Sequence, residues 1–485
     1  MNWILISEIV YIILVILVCG RVIYDTQSTT KTLAYLLAVV FLPIVGMIIY
    51  FSVGINYRKR KIYSKKVFNN PEVKKKMESR IRDISRSIFS DAHPSVKKFQ
   101  KLSTLILSQS LSPVTYGNDV SLLLNGENKF PRVIEDLKRA KKHIHIEYYI
   151  FDADHIGLEI IDLLIEKAKE GVKVRFIYDD FGSRQIRKEQ VNRLNEAGVE
   201  VFPFYKIKLI ALANRLNYRN HRKIIVIDGK IGYVGGINVS DKYINSEINT
   251  NALFWRDTHL RIEGPVVSTL QYIFIGDWNY CSGEKLKPDS SFFSADDTYS
   301  TNSGKIVQIV ASGPDSDTPL IKQTLMQAIN LAKKEILITT PYFIPGQSML
   351  DSLTIAASSG IKIKLLVPGQ SDSQLVNFAA RSYYARLLES GAEIYQYHKG
   401  FVHAKTIVVD KELSVVGTAN MDIRSFDLNF EVNAVVYDEE LAETLCNEFY
   451  NDLQFATQID AKQWKDRKKL VQLVEKIAGL LSPMM

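Results

Sequence analysis

One pattern occurs twice in this chain of 485 residues, and it restricts the fold more than any other feature. In the first copy, His221, Lys223 and Asp228 are followed by Gly235-Gly236-Ile-Asn238. In the second, His403, Lys405 and Asp410 are followed by Gly417-Thr418-Ala-Asn420. Both obey H-x-K-x4-D-x6-G-[GT]-x-N. One such match arises easily by chance; two in register within a wider repeat do not. Ala140-Lys-Lys-His-Ile-His-Ile146 matches Ala332-Lys-Lys-Glu-Ile-Leu-Ile338, and Gly171-Val-Lys-Val-Arg-Phe-Ile177 matches Gly360-Ile-Lys-Ile-Lys-Leu-Leu366. Ala197-Gly-Val-Glu-Val201 matches Ser390-Gly-Ala-Glu-Ile394, and offsets between the copies run from 182 to 193 residues. Helical spacing of apolar residues gives way each time to strand-like alternation. The order helix, strand, helix, strand, helix, strand predicts parallel βαβ units. The first copy also carries an insert, Ile207 to Asn220, apolar and then basic, which reads as a loop at the mouth of a site.

The repeated residues suit one kind of chemistry. A His and a Lys two positions apart on a strand project from one face. The four residues after each Lys are mostly β-branched and apolar, so the motif reads as a buried strand entered through its His and Lys. Asp228 and Asp410 fall on the opposite parity and read as structural, pairing with backbone or with a buried cation. The glycines permit a tight turn that returns Asn238 and Asn420 toward the His-Lys pair. Two facing copies then supply two imidazoles, two ammonium groups and two amides. The cations and amides can hold the non-bridging oxygens of a phosphodiester. One imidazole can attack phosphorus while the other protonates the leaving oxygen.

Charge and hydropathy place this site near a membrane. Thr32 to Asn56 is 25 residues without a charge, and Trp3 to Tyr24 is apolar except for Glu8 and Arg21. Both stretches exceed what a hydrocarbon core of ~30 Å requires, and the short connection predicts a helical hairpin. A cleaved signal peptide fits less well, because the residues before the first apolar run carry Glu8 and no Lys or Arg. Net charge is +8, but Tyr57 to Lys101 holds 15 Lys/Arg against 4 Asp/Glu, so one short segment supplies the whole basic excess. That distribution argues against a nucleic-acid-binding surface. Arg58, Lys59, Arg60, Lys61, Lys65 and Lys66 flank the second apolar stretch and predict a cytoplasmic C-terminal part. They can also attract an anionic leaflet. The three cysteines are scattered and form no C-x-x-C pair, which argues against a disulfide framework and a cysteine zinc site.

The chain resembles the phospholipase D superfamily and, within it, the bacterial cardiolipin synthases. The resemblance rests on the doubled motif, on Trp255-Arg-Asp-Thr-His259, on Thr340-Pro-Tyr-Phe-Ile-Pro345, and on Met421 through Glu431 after the second motif. It implies an α/β fold of two duplicated α-β-α sandwich halves with a shared active site, preceded by the transmembrane hairpin. The corresponding division is 1–56 hairpin, with helices near 3–24 and 32–55; 57–115 basic linker; 116–300 first half; 301–458 second half; 459–485 amphipathic tail. The implied reaction joins two phosphatidylglycerols into cardiolipin and glycerol at the inner membrane of a bacterium, with no cofactor and no metal. In the family pattern His221, Lys223, Asp228, His403, Lys405 and Asp410 form the catalytic set, with His221 as nucleophile and His403 as acid and base. Asp257 matches a histidine-orienting carboxylate in the first half and Glu431 in the second. The alternatives are a hydrolase or a transphosphatidylase with another acceptor alcohol, a nuclease, and a non-catalytic scaffold. The hairpin and the localised charge oppose a nuclease, and two intact motifs oppose a scaffold.

Other features carry weaker readings. His143 and His145 share a strand face but have no third metal ligand at suitable spacing, and read as solvated or cleft-lining. Glu147 and Tyr149 continue that face toward the site. Ser312-Gly-Pro-Asp315 reads as a cap and turn. Ile207 to Leu216 is the candidate shield against water. The tail from Trp464 to Leu481 is suited equally to packing on the domain and to lying on a membrane surface.

Overall fold

The computed structural model describes residues 3–26, 29–51, 85, 87–88, 97–110, 112–186, 188–205, 218–245, 253–283, 286–293 and 304–482. The basic run from Arg58 to Lys66, most of the linker and residues 207–217 of the insert lie outside the described residues.

The first half contributes β1 (Thr115–Leu124), β2 (His143–Tyr148), β3 (Lys173–Asp179), β4 (Glu200–Phe204), β5 (Lys223–Ile227), β6 (Ile231–Gly235), β7 (Phe254–Arg256) and β8 (Thr258–Glu263). The second contributes β9 (Lys305–Ser312), β10 (Glu335–Thr339), β11 (Phe343–Ile344), β12 (Lys362–Pro368), β13 (Glu393–Tyr397), β14 (Gly400–Val402), β15 (Thr406–Val409), β16 (Leu413–Gly417), β17 (Met421–Asp422), β18 (Glu431–Tyr437) and β19 (Ala456–Gln458). One half of the main sheet runs β1-β8-β6-β5-β2-β3-β4, the other β9-β18-β16-β15-β10-β12-β13, with β19 added at its outer edge. The two orders are the same, so the duplication read from sequence is a duplication of topology. An antiparallel pair between β1 and β9 joins the halves. Within each half the three strands of the βαβ units are parallel, and the motif strand runs antiparallel to the first of them.

Burial on both faces explains why β5 and β15 read as unbroken apolar runs. One face of the first half packs with the helices Asn125–Arg139 and His155–Lys169. The second half packs likewise with Leu320–Leu331, Gly346–Ser358 and Gln374–Glu389. A third cluster draws on both halves at once, including Ile224, Val226 and Leu260 from one and Val408, Val416 and Val432 from the other. The halves are therefore fused through a common core.

Asp228 and Asp410 do the same structural work at symmetric places. Each has positive φ, 54° and 55°, a region that Asp tolerates better than most side chains. The Asp228 carboxylate accepts from the N–H groups of Lys141, Lys142 and His143 at 2.7–2.9 Å. Asp410 accepts from Lys333, Lys334 and Glu335 at 2.7–3.0 Å and also pairs with Lys98 at 2.9 Å. They pin the turn after each motif strand to the start of the neighbouring strand. Neither lines the cavity shared by His221 and His403, and both carboxylates are taken by backbone N–H groups, as their strand parity predicts.

At the N-terminus, Trp3–Asp25 is a single 23-residue helix, long and apolar enough to cross a membrane. Of the helix predicted over 32–55, residues 52–55 lie outside the described residues, and the described part departs from a continuous helix. It forms Thr29–Phe41 and Pro43–Ile49, broken at Leu42 with φ −131° and ψ 63°. Pro43 cannot donate an N–H and opens a new helix instead. A Cβ on Gly46 would meet the Ala38 carbonyl at 2.3 Å, so glycine is required for the bend. The two stretches pack through Val18, Val22, Val39 and Tyr50.

At the other end, Trp464 is buried against Tyr384, and Glu475 pairs with Arg381 and Arg467. The tail therefore packs on helix Gln374–Glu389, while Leu470, Leu473, Ile477 and Leu480 stay exposed.

The capping role predicts that Asp228→Ala lowers unfolding stability by about 2–4 kcal/mol, since three amides lose a charged acceptor and Ala takes a left-handed conformation. Asp228→Asn should cost less. Denaturant unfolding in detergent measures both; a loss below ~0.5 kcal/mol for the Ala variant would contradict the assignment.

Candidate active site

Two crossings between the halves build the site. In one, Asn220 bridges Phe430; the His221 N–H donates to the Phe430 carbonyl at 2.9 Å, and the Phe430 N–H to the Arg219 carbonyl at 2.8 Å. In the other, β14 pairs in parallel with β7, and the His403 N–H donates to the Arg256 carbonyl at 2.7 Å. The chain thus enters each motif by pairing with the other half, which is why His221 and His403 lie just outside β5 and β15 rather than within them. Each crossing sets one histidine beside the next residue of its partner segment. His221 Nδ1 lies 3.0 Å from the Glu431 carboxylate, and His403 Nδ1 lies 2.7 Å from Asp257 Oδ2. Both predicted carboxylates orient a histidine, but each serves the histidine of the opposite half. A carboxylate at Nδ1 fixes the tautomer and leaves Nε2 for a ligand.

The carboxylates are themselves held. Glu431 accepts from the Thr418 hydroxyl and from Asn429 Nδ2 at 3.2 Å, and Asp257 from the Thr258 N–H at 2.7 Å. Gly236 occupies the position corresponding to Thr418. A Cβ there would stand 2.1 Å from Asp257 Oδ1, so the shorter acid needs glycine beside it. Lys223 Nζ donates to the His221 carbonyl at 2.9 Å, and Lys405 Nζ donates to the His403 carbonyl. Both lysines are buried.

His221, His403, Asn238 and Asn420 line one cavity of about 370 Å³. Asn238 donates to the Tyr243 hydroxyl at 2.6 Å and accepts from the Ile150 N–H at 3.2 Å, so its amide is engaged by protein. Tyr149 lines the cavity, as its strand parity predicts. Glu147 does not; it is buried and accepts from Asn220. His143 and His145 are neither solvated nor cleft-lining. They are buried against Gln271, with contacts of 3.1 Å to its Oε1.

Several residues around the site carry no motif signal. Arg222 pairs with Asp277 behind His221, and Lys129, fully buried, donates to the Ile237 carbonyl at 2.7 Å. Arg219, Lys242 and Arg424 line the cavity. Of these, Arg219 was open to discovery, because the alternation that links Lys223 to His221 continues two residues further back.

Burial dominates the electrostatics. It pulls His221 down to about 4 and His403 to about 3 despite their carboxylates, so both imidazoles are neutral at pH 7. Burial also lowers Lys223 to about 7 and Lys405 to about 8. Burial works against ionisation of Asp257 and Glu431, but the facing lysines and histidines outweigh it and hold both below the ordinary carboxylate range. An entering anion would favour the charged form of every cation here.

Comparison with known proteins agrees with this geometry. The family described as cardiolipin synthase, PLD-like domain, matches residues 133–278 and 325–453. The chain belongs to this family. The phospholipase D-nuclease N-terminal family matches residues 9–54. A cardiolipin synthase of Halalkalibacterium halodurans is 40% identical over 487 residues, covering 100% of this chain and 95% of that protein. The major cardiolipin synthase of Bacillus subtilis is 39% identical, covering 98% of each. Among solved structures, a phosphatidylserine synthase of Haemophilus influenzae shares the fold, with TM-score 0.57, 15% identity, and coverage of 79% of this chain and 98% of that one. This member of the cardiolipin synthase family carries an N-terminal helix long and apolar enough to cross a membrane.

The lysine burial has a stability consequence. With a folded pKa of about 7 for Lys223 against ~10.4 in an unfolded chain, the unfolded state binds more protons between those values. The burial cost is therefore complete below pH 7 and fades as pH rises toward ~10.4. Lys223→Met should abolish turnover yet raise stability at pH 7 by ~1–2 kcal/mol, with the gain shrinking by pH 10. Melting in detergent at both pH values tests this; a Met variant less stable than wild type at pH 7 would refute it.

Proposed function

We propose that this protein is a cardiolipin synthase that moves a phosphatidyl group from one phosphatidylglycerol to another, releasing glycerol. The observation that carries the reading is the pair of neutral imidazoles, each held at Nδ1 by a carboxylate of the opposite half and both facing one cavity. His221 Nε2 attacks phosphorus of the first lipid, and the bond from phosphorus to the glycerol oxygen breaks. His403, protonated in the anionic substrate complex, gives its proton to that oxygen. The glycerol of a second phosphatidylglycerol then enters. His403 removes its proton, and the resulting oxygen displaces His221 from phosphorus. Lys223 and Lys405, charged once an anion is bound, stabilise the non-bridging oxygens, with the remaining Nδ2 hydrogens of Asn238 and Asn420 as further phosphate donors.

One phosphodiester is exchanged for another at each step, so no activated donor is required and excess glycerol drives the reaction backward. The basic run after the apolar stretches favours a cytoplasmic site against an anionic leaflet, with both apolar stretches in the membrane.

Purified protein given phosphatidylglycerol alone should yield cardiolipin and free glycerol. Phosphatidic acid in place of cardiolipin would favour the hydrolase instead. His403→Ala should accumulate a phosphatidyl adduct on His221, visible by intact-protein mass spectrometry, whereas His221→Ala should show none. Labelling of His403 in the His221 variant would reverse the two roles.

A further inference from the structure

We infer that Arg219 and Arg424 form a second anion subsite, which takes the phosphodiester of the acceptor lipid. The inference rests on the phosphatidyl-transfer reading above and adds the means by which the second substrate is recognised.

Arg219 is 3% exposed, stacks on the Phe181 ring at 4.3 Å and lines the cavity that holds both imidazoles. Its Nη1 is buried and has no hydrogen-bond partner among the described residues. Asp179 supplies the attractive charge nearest to it in effect, but backbone takes that carboxylate. Its oxygens accept from the N–H groups of Phe181, Gly182 and Asn220 at 2.9–3.1 Å. Arg424, half-buried and supplied by the other half, lines the same cavity. Burial first, and then the charges of Arg424 and Arg184, disfavour the protonated form of Arg219. A buried guanidinium with an unmet donor and cationic neighbours is costly in the free protein, and an anion relieves both costs. The planar fork of Arg matches a phosphate.

The asymmetry between the halves points to the acceptor. Two residues before His403, the counterpart of Arg219 is Phe401. The counterpart of Arg424, four residues after the motif Asn, is Lys242. Lys242 lies over the Trp255 ring at 4.9 Å and is drawn by Asp152, Asp372 and Asp154. The reacting phosphodiester is served from both halves by Lys223 and Lys405. An arginine pair that is not repeated at the symmetric positions suits a second phosphate that does not react, and joining two phosphatidylglycerols brings one such phosphate. The same cavity offers Asn420 Oδ1 and Asn429 Oδ1, both buried and without a partner among the described residues. Carbonyl oxygens accept from hydroxyls and repel phosphate oxygens. Beside the arginines they suit the glycerol that links the two phosphates.

The test supplies phosphatidylglycerol together with labelled free glycerol. Exchange of label into phosphatidylglycerol needs one lipid phosphate, whereas cardiolipin needs two. In Arg219→Gln and in Arg424→Gln, the ratio of cardiolipin formed to label exchanged should fall at least tenfold, and Arg219→Lys should recover part of the loss. A smaller change in that ratio, whether both activities fall together or both persist, overturns the second subsite. Wild-type protein that makes no cardiolipin from phosphatidylglycerol overturns the transfer reading itself, and the subsite with it.

Discussion

The structure depends on two hydrogen bonds that cross between its halves, from His221 to Glu431 and from His403 to Asp257. Neither half can complete a site alone, because each owns one histidine and the carboxylate of the other. The crossing follows from backbone pairing. Residues 220 and 430 bridge in parallel, as do β14 and β7, and each bridge delivers one imidazole beside one acid. A core drawn from both halves holds those bridges in register. Removing one imidazole would leave a fully buried carboxylate short of a hydrogen-bond donor, which costs about 1–3 kcal/mol.

Burial gives these groups their chemistry. It keeps both imidazoles neutral at pH 7, and a neutral ring is the form that can attack phosphorus. It also leaves the two lysines poorly satisfied until an anion arrives. The free site therefore stores electrostatic cost that a phosphodiester relieves, so binding and charge stabilisation have one physical source. Arg219 extends the same logic to one flank of the cavity.

Much of this was legible in the sequence because it is local or repeated. The doubled motif, its spacing and the flanking strand pattern disclose two copies of one α/β unit and nominate both histidines and both lysines, while the two orienting acids were legible only through the family resemblance. Strand parity sets Asp228 and Asp410 apart from the cluster. What stayed hidden is long-range or depends on packing. His403 and Asp257 are 146 residues apart, and His221 and Glu431 are 210 apart. Spacing within a copy says nothing about which copy supplies the partner. The bend at Leu42 was equally hidden, since membrane helices tolerate Pro and Gly and only the close approach of Gly46 to Ala38 reveals a sharp turn. Lys129 and the pairing of Arg222 with Asp277 look like surface charge until tertiary packing buries them.

The crossing itself is tested most directly by double-mutant cycles on unfolding stability, combining His221→Ala or His403→Ala with Glu431→Gln or Asp257→Asn. Coupling should reach about 1–3 kcal/mol for His221 with Glu431 and for His403 with Asp257, and stay within ~0.5 kcal/mol for the two same-half combinations. Strong coupling of His221 with Asp257, and of His403 with Glu431, would show that each half orients its own histidine and would contradict the account.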